Sequence, residues 1–451
     1  MKRAVKFLNQ GIRHRDKNYE LLRSAILVSL FTLLHSCYAP SLSSGKGEPN
    51  FSHVTELCEL AITESVAPGI VAFVAHKGET IYHKSFGLAD ISTGRTMEND
   101  AIFRIDSQTK AITATAVMML WEQGLLGLDD PISKYIPEFE NPQVIKSFDA
   151  SDTSYVAEPT GSEITIRQLL AHISGIGYGN IGEDEGMEML YKKAGVVTLA
   201  STMDISIEEN IKTLATLPLQ ARPGEEFIYG MGLDVLGYLV EILSGMSFDT
   251  YLRSQIFDPL NMDDTWFYLP EELAPRLIPV HVNDDTGQWL HRTVGSYDPD
   301  YPIKGAKRLF LGGAGLSSTA EDYAKFLQMY LKDGVLYENR ILEPATIDTI
   351  MSNQIGNLWG NDPDHFYGLA FMVLTEKGGA EGSEGSRGTF SWMGYFNTAY
   401  FADPITQTIG LIMMQVEIPE EEEENVAQLR GEFWTEVCEA VRSEEKFEFT
   451  N

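Results

Sequence analysis

Apolar residues recur along this chain with two different periods, and the changes of period mark out its elements. Near the start, Val54, Leu57, Cys58 and Ala61 fall at helical spacing, so residues 51–66 predict an amphipathic helix that Pro68-Gly69 stops. The apolar run 70–76 reads as a mostly buried strand, Lys77-Gly78 as a tight turn, and 80–84 as the returning strand. Strands come back only late, at 398–401 and 408–414, joined by a turn at Asp403-Pro404. A last helix then carries Val426, Leu429, Phe433, Val437 and Ala440 on one face. Between these ends the helical period dominates: 166–170 runs into the loop Ala171-His172-Ile173-Ser174-Gly175, 233–243 ends at Ser244-Gly245, and the glycine turn 312–316 leads into a helix over 320–331. Residues 141–163 and 177–206, rich in Ser, Gly and acidic residues, read as surface excursions. The pattern predicts one layered α/β domain made from both ends of the chain (51–106 with 366–445), around an inserted, mostly helical domain at 107–365.

One stretch departs from amphipathicity altogether. From Ala111 to Trp121 no residue is charged, and Ala111, Ile112, Ala114, Ala116, Val117, Met118, Met119 and Leu120 cover every side of a helical wheel. A helix that is apolar all round lies inside a protein, and Gly124 caps this one. Lys110 enters it in the first turn, where an ammonium is costly without partners. Ser107, three residues earlier, shares the same face. Burial disfavours the charged form of an amine, so Lys110 can take the Ser107 proton, while the helix N-terminus favours the negative charge that develops. These are the requirements for an activated nucleophile. Ser-x-x-Lys also occurs at Ser43 to Lys46 and Ser443 to Lys446, in a small-residue stretch and a charged tail. Neither opens a buried helix.

Composition adds bounds. With 451 residues, 43% hydrophobic and 10% aromatic, the chain is an ordinary globular one, long enough for one large or two interleaved domains. The formal charge of −31 excludes a nucleic-acid binder, since phosphates require a basic surface. Residues 1–37 read as a targeting leader. Lys2, Arg3, Lys6, Arg13, Arg15, Lys17 and Arg23 precede an apolar run over 25–34, which is too short for a comfortable bilayer span but suits a signal segment. Leu34-His35-Ser36-Cys37 resembles a bacterial lipobox, with Cys37 as the lipid attachment point. Residues 38–50 would then be a tether. An exported protein, periplasmic or held at the outer membrane as a lipoprotein, is the expectation; an uncleaved anchor is the alternative. Cys58 and Cys438 are expected as two buried thiols, although an exported setting also permits a disulfide. The nine histidines contain no His-x-x-x-His pair and the cysteine spacing does not suit zinc, so neither metal nor cofactor is expected. His172 suggests a Ser-His-Asp triad, but the chain has no Gly-x-Ser-x-Gly elbow.

A set of ordered motifs goes further: Pro68-Gly69, Gly87-Leu88-Ala89-Asp90, the run 103–110, Leu128-Asp129-Asp130-Pro131, 169–175, Pro223-Gly224, Tyr229-Gly230-Met231, 312–316 and Trp392-Met393-Gly394. In these the sequence resembles the penicillin-recognising serine hydrolases, specifically class C β-lactamase-like proteins and the family VIII carboxylesterases. The resemblance covers most of residues 60–416. It implies an α+β, β-lactamase/transpeptidase-like fold: an antiparallel sheet flanked by the N- and C-terminal helices, with an inserted helical domain. It also implies Ser107 as the acylated nucleophile, Lys110 as its base and Tyr229 as the proton shuttle. The N–H groups of Ser107 and Tyr395 would form an oxyanion hole. Trp392, Gly394 and Met231 would line the substrate, and His172 would be a structural residue in a turn near the site. Met231 stands where many β-lactamases have Asn, and Trp392 where they have the lysine of Lys-Thr-Gly; both changes favour esters over β-lactams. The expected reaction is therefore cleavage of a small acyl ester or amide through an acyl-enzyme. A β-lactamase or D,D-peptidase is the alternative, with Arg387 supplying the cation for a substrate carboxylate. A non-catalytic binding module that keeps the fold is a third reading. The only membrane contact implied is the lipid anchor.

Overall fold

The computed structural model describes residues 49–179, 185–284, 286–295, 297–360, 362–381, 385–419 and 423–448. The leader with Cys37, and the tether as far as residue 48, lie outside the described residues. In chain order, helix α1 (Ser52–Thr63) precedes strands β1 (Gly69–His76), β2 (Glu79–Asp90) and β3 (Arg95–Thr96). Helices α2 (Thr109–Glu122) and α3 (Gly232–Ser244) follow, then the short strands β4 (His281–Asn283) and β5 (Trp289–His291), and helix α4 (Ala320–Leu331). The chain closes with β6 (His365–Tyr367), β7 (Met372–Leu374), β8 (Phe390–Met393), β9 (Ala399–Asp403), β10 (Thr408–Met413), β11 (Val416–Glu417) and helix α5 (Glu423–Glu448).

Both ends of the chain contribute to one eight-stranded sheet in the order β6-β7-β8-β9-β10-β1-β2-β3, antiparallel throughout. Every residue of β1 is buried, which explains why it reads as a continuous apolar run. Its two faces serve different cores: Ile70, Ala72 and Val74 point to one, Val71, Phe73 and Ala75 to the other. The first core is closed by α1 and α5, through Val54, Cys58, Leu429 and Phe433. The second is closed by α4, which lies across β1, β9 and β10, and continues into α2 and α3. Burying one such large apolar side chain stabilises the fold by about 1.5–3 kcal/mol. The result is a sheet with helices on both faces. Cys58 and Cys438 are buried thiols on the paired helices α1 and α5, and burial pushes the Cys58 thiol up to about 12.

The five apolar positions expected on the last helix, from Val426 to Ala440, are all buried. The excursion at 141–163 proves to be a β-hairpin, Gln143–Asp149 paired with Ser154–Pro159. Its strands are mostly exposed, so it carries no apolar alternation to read. The second excursion holds a helix, Glu185–Ala194. Three elements position the site. The segment Phe103–Arg104, paired with Ser317–Ser318, delivers the chain to a 3-10 turn, Asp106–Gln108, and thence to α2. Helix α2 packs on α3, and β8 ends beside the turn.

Candidate active site

All residues from Ala101 to Leu120 are buried except one, Ser107. The turn that presents it contains Asp106 at φ 41°, in the left-handed region that a non-glycine residue enters only at a cost. Lys110 lies behind Ser107 with no exposed surface. Its Nζ donates to the Gly313 carbonyl at 2.7 Å, to the Tyr178 hydroxyl at 2.9 Å and to Ser107 Oγ at 3.2 Å. An ammonium has three N–H donors, and here each finds an acceptor, which is the condition for tolerating a buried cation. The Gly313 position cannot carry a side chain: a Cβ there would fall 2.4 Å from the Tyr178 hydroxyl and 2.6 Å from Asp234 Oδ2.

Tyr229 is half-buried, and its ring centroid lies 4.6 Å from Lys110 Nζ. Its hydroxyl accepts from Trp392 Nε1 at 3.3 Å. The tyrosine whose hydroxyl bonds Lys110 is thus Tyr178, which the sequence reading left inside a surface excursion. Burial, then the Asp234 and Tyr229 charges, push the Tyr178 phenol well above its ordinary value, so it stays protonated. A lone tyrosine in the glycine-rich segment that follows His172 was the available signal.

Two further acids surround the pair. Asp234, in the first turn of α3, accepts from the Gly313 N–H at 2.9 Å. Burial pushes its carboxyl up to about 6, and Lys110 pulls against that shift. Asp106 is fully buried, accepts a backbone hydrogen bond from Phe396, and rises to about 8 because desolvation outweighs Arg104, that hydrogen bond, Lys110 and Arg292. The Asp106 contact ties the nucleophile turn to the loop after β8. Gly394 belongs to the same junction, since a Cβ on it would sit 2.6 Å from the Ile105 carbonyl oxygen. Ile105 and Asp106, which lead into Ser107, thus meet Gly394 and Phe396 on either side of Tyr395, whose side chain turns outward to bond Glu417 at 3.2 Å.

His172 has a structural position, as expected. Its backbone sits at φ 56°, its carbonyl accepts from Ile228 N–H at 2.7 Å, and its Nδ1 accepts from Gly230 N–H at 3.3 Å. Burial first, and the Lys110 charge second, hold its pKa well below the usual value. The neutral ring packs on Tyr229 with centroids 4.5 Å apart and so aims that tyrosine.

Two expected substrate contacts are corrected. Met231 is fully buried in the core rather than lining the site, because the chain turns inward after Tyr229 and the Met231 carbonyl accepts from Asp234 N–H and Val235 N–H to start α3. Arg387 is not brought to Ser107. The four residues of β8 stand between it and Gly394, roughly 13 Å of extended chain. It is exposed and paired with Glu376 at 2.7 Å. Trp392 is 7% exposed and packs against Tyr229 and Tyr367, so it forms a wall of the site.

A buried lysine-serine pair at the head of an all-buried helix, beside a large antiparallel sheet, defines the penicillin-recognising serine hydrolase fold. The chain belongs to the beta-lactamase family, whose model matches residues 58–432. Among individual proteins it is similar to the esterase EstB of Burkholderia gladioli, 30% identical over 76% of this chain and 84% of that protein. It is also similar to the lovastatin esterase of Penicillium rubens, 27% identical over 79% of this chain and 90% of the relative. Among solved structures, EstCE1, described as a hydrolase with promiscuous acyltransferase activity, superimposes with a TM-score of 0.70 at 25% identity, covering 86% of this chain and 97% of that one.

Proposed function

We propose that the protein is a serine hydrolase that cleaves small acyl esters through a covalent acyl-enzyme on Ser107. The observation that carries this reading is Lys110 Nζ at 3.2 Å from the one accessible side chain in a buried run of twenty residues. The Gly313 carbonyl can only accept, so one Lys110 N–H is committed to it; the Tyr178 hydroxyl takes a second. In the neutral amine the third direction is a lone pair, aimed at Ser107 Oγ. Ser107 then attacks the ester carbonyl as its proton passes to Lys110, and the N–H groups of Ser107 and Tyr395 receive the oxyanion. Lys110, with Tyr229 beside it, returns the proton to the leaving alcohol. Water repeats the sequence to release the acid, and an added alcohol in place of water would give acyl transfer.

Ester cleavage is favoured over β-lactam hydrolysis because Trp392 walls the place where a carboxylate-binding cation would stand and Arg387 pairs with Glu376 at the surface instead. Purified protein assayed in parallel on p-nitrophenyl butyrate and nitrocefin should turn over the ester and leave nitrocefin nearly untouched. Nitrocefin turnover exceeding ester cleavage would reverse the assignment. The basic leader, its apolar run and the lipobox-like 34–37 support export with lipid on Cys37. Radiolabelled palmitate should mark the expressed protein and not Cys37→Ala; equal labelling would remove the anchor from the account.

A further inference from the structure

Three side chains that the proposed reaction does not use meet at the far end of β2. His281 on β4 and His291 on β5 are direct cross-strand partners, and Asp90 is the last residue of β2. One ligand atom from each, a carboxylate oxygen and two imidazole nitrogens, lies within 4.8 Å of the other two. His291 Nε2 donates to Asp90 Oδ1 at 2.9 Å. His281 is only 2% exposed, and its Nε2 has no hydrogen-bond partner among the described residues. Burying a polar group unmatched is unfavourable; His83 and His172 share this feature, but among the described residues His281 is the one grouped with a second imidazole and a carboxylate at metal-ligand spacing. The Ser92 N–H and hydroxyl also donate to Asp90 Oδ1, each at 2.8 Å, and fix the carboxylate in place.

We propose that Asp90, His281 and His291 form a zinc-binding site. Two imidazole nitrogens and one carboxylate suit a borderline transition-metal ion rather than calcium or magnesium, which take oxygen donors. Ligand atoms about 2 Å from a tetrahedral ion stand roughly 3.3 Å apart. The His291–Asp90 pair is already near that spacing, and the half-exposed His291 side chain (38%) has room to adjust. Binding requires the His291 hydrogen to move from Nε2 to Nδ1 by exchange with solvent, which leaves the ring neutral. The open side of the cluster leaves the fourth position to water. Arg95, opposite Asp90 on β3, is the cation that opposes the ion; its guanidinium donates to the Leu277 carbonyl at 3.3 Å. The ion would clamp the β4–β5 hairpin, which comes from the middle of the chain, onto the end of β2. The clamp acts one residue before Arg292, which pairs with Glu417, the acceptor of the Tyr395 hydroxyl.

The test is direct. Full-length protein stripped with EDTA should take up one zinc per chain in competition with a chromophoric chelator, and its melting temperature should rise by about 3 °C or more in excess zinc. His291→Ala, a change at a half-exposed position, and Asp90→Asn should each weaken zinc binding at least about 100-fold and abolish the rise. If His281→Ala does not fold, these two variants still decide the matter. Calcium and magnesium should leave the melting temperature unchanged. Three outcomes would overturn the proposal: no stoichiometric zinc in the wild type, an equal shift with calcium, or unaltered zinc affinity in the His291 and Asp90 variants.

Discussion

The Lys110 pocket and the Asp90–His281–His291 cluster are both built from buried polar groups, yet they are completed to different degrees. Around Lys110 every N–H has an acceptor, and of the buried run 101–120 only Ser107 reaches solvent. Around His281 a ring nitrogen is left unmatched at the rim of the fold. The difference teaches that what separates the two sites is whether the central nitrogen, Lys110 Nζ or His281 Nε2, has its partners. An amine with every N–H accepted is fixed in advance beside the hydroxyl it activates. A cluster with an unmatched donor atom is unfinished until something from solution completes it.

The comparison can be broken first at its most reactive atom. Ser107→Ala should lower kcat/KM for p-nitrophenyl butyrate by at least about 10⁴-fold while leaving the melting temperature almost unchanged, because the hydroxyl reacts and does not hold the fold. Retained turnover in steady-state assays would move the chemistry elsewhere. Next in size is Tyr178→Phe, which removes one acceptor from the ammonium that Lys110 becomes when it takes the Ser107 proton. Hydrogen bonds to charged groups contribute about 1.5–3 kcal/mol, so kcat should fall roughly 10- to 100-fold. An unchanged kcat would mean that Tyr178 only fills space.

Asp106 sharpens the comparison through pH. Its carboxyl is raised from 3.8 to about 8 in the folded protein, chiefly by desolvation. The folded state therefore binds the proton more tightly than the unfolded one, and stability falls as pH rises from about 4 to about 8. Asp106→Asn keeps an acceptor for the Phe396 N–H and cannot ionise, so its melting temperature should exceed that of the wild type by a few degrees at pH 8.5, with the gap closing by pH 4. Parallel melting curves across that range would contradict the assignment. The smallest effect is expected at Arg387→Ala: its ion pair is exposed and screened by solvent, and ester kinetics should stay within about twofold of wild type.

Much of this arrangement was legible in the sequence, for reasons that differ by residue. The helix behind Ser107 declared itself because burial on all sides leaves no polar stripe, and a lysine entering such a helix must have partners. Strand β1 was legible for the same reason. Met231 misled because an apolar residue next to Tyr229 lines a site and fills a core with the same side chain; only the inward turn into α3 separates the two. Arg387 was close to Trp392 along the chain, but a strand directs its two ends apart. Tyr178 was hidden because its role depends on a loop folding back over Lys110, and a single aromatic among glycines has no period. Asp106 was visible in the motif, but its protonation depends on how completely the fold buries it, which the local sequence does not show.

The central claim is that Lys110 makes the neighbouring hydroxyl a nucleophile, and it is tested most directly by trapping the intermediate. Wild-type protein quenched in acid during turnover of p-nitrophenyl butyrate should gain the mass of one butyryl group, and peptide mapping should place it on Ser107, with no adduct on Ser107→Ala. A butyryl group on another residue, or steady turnover with no covalent species on rapid quench, would contradict the account.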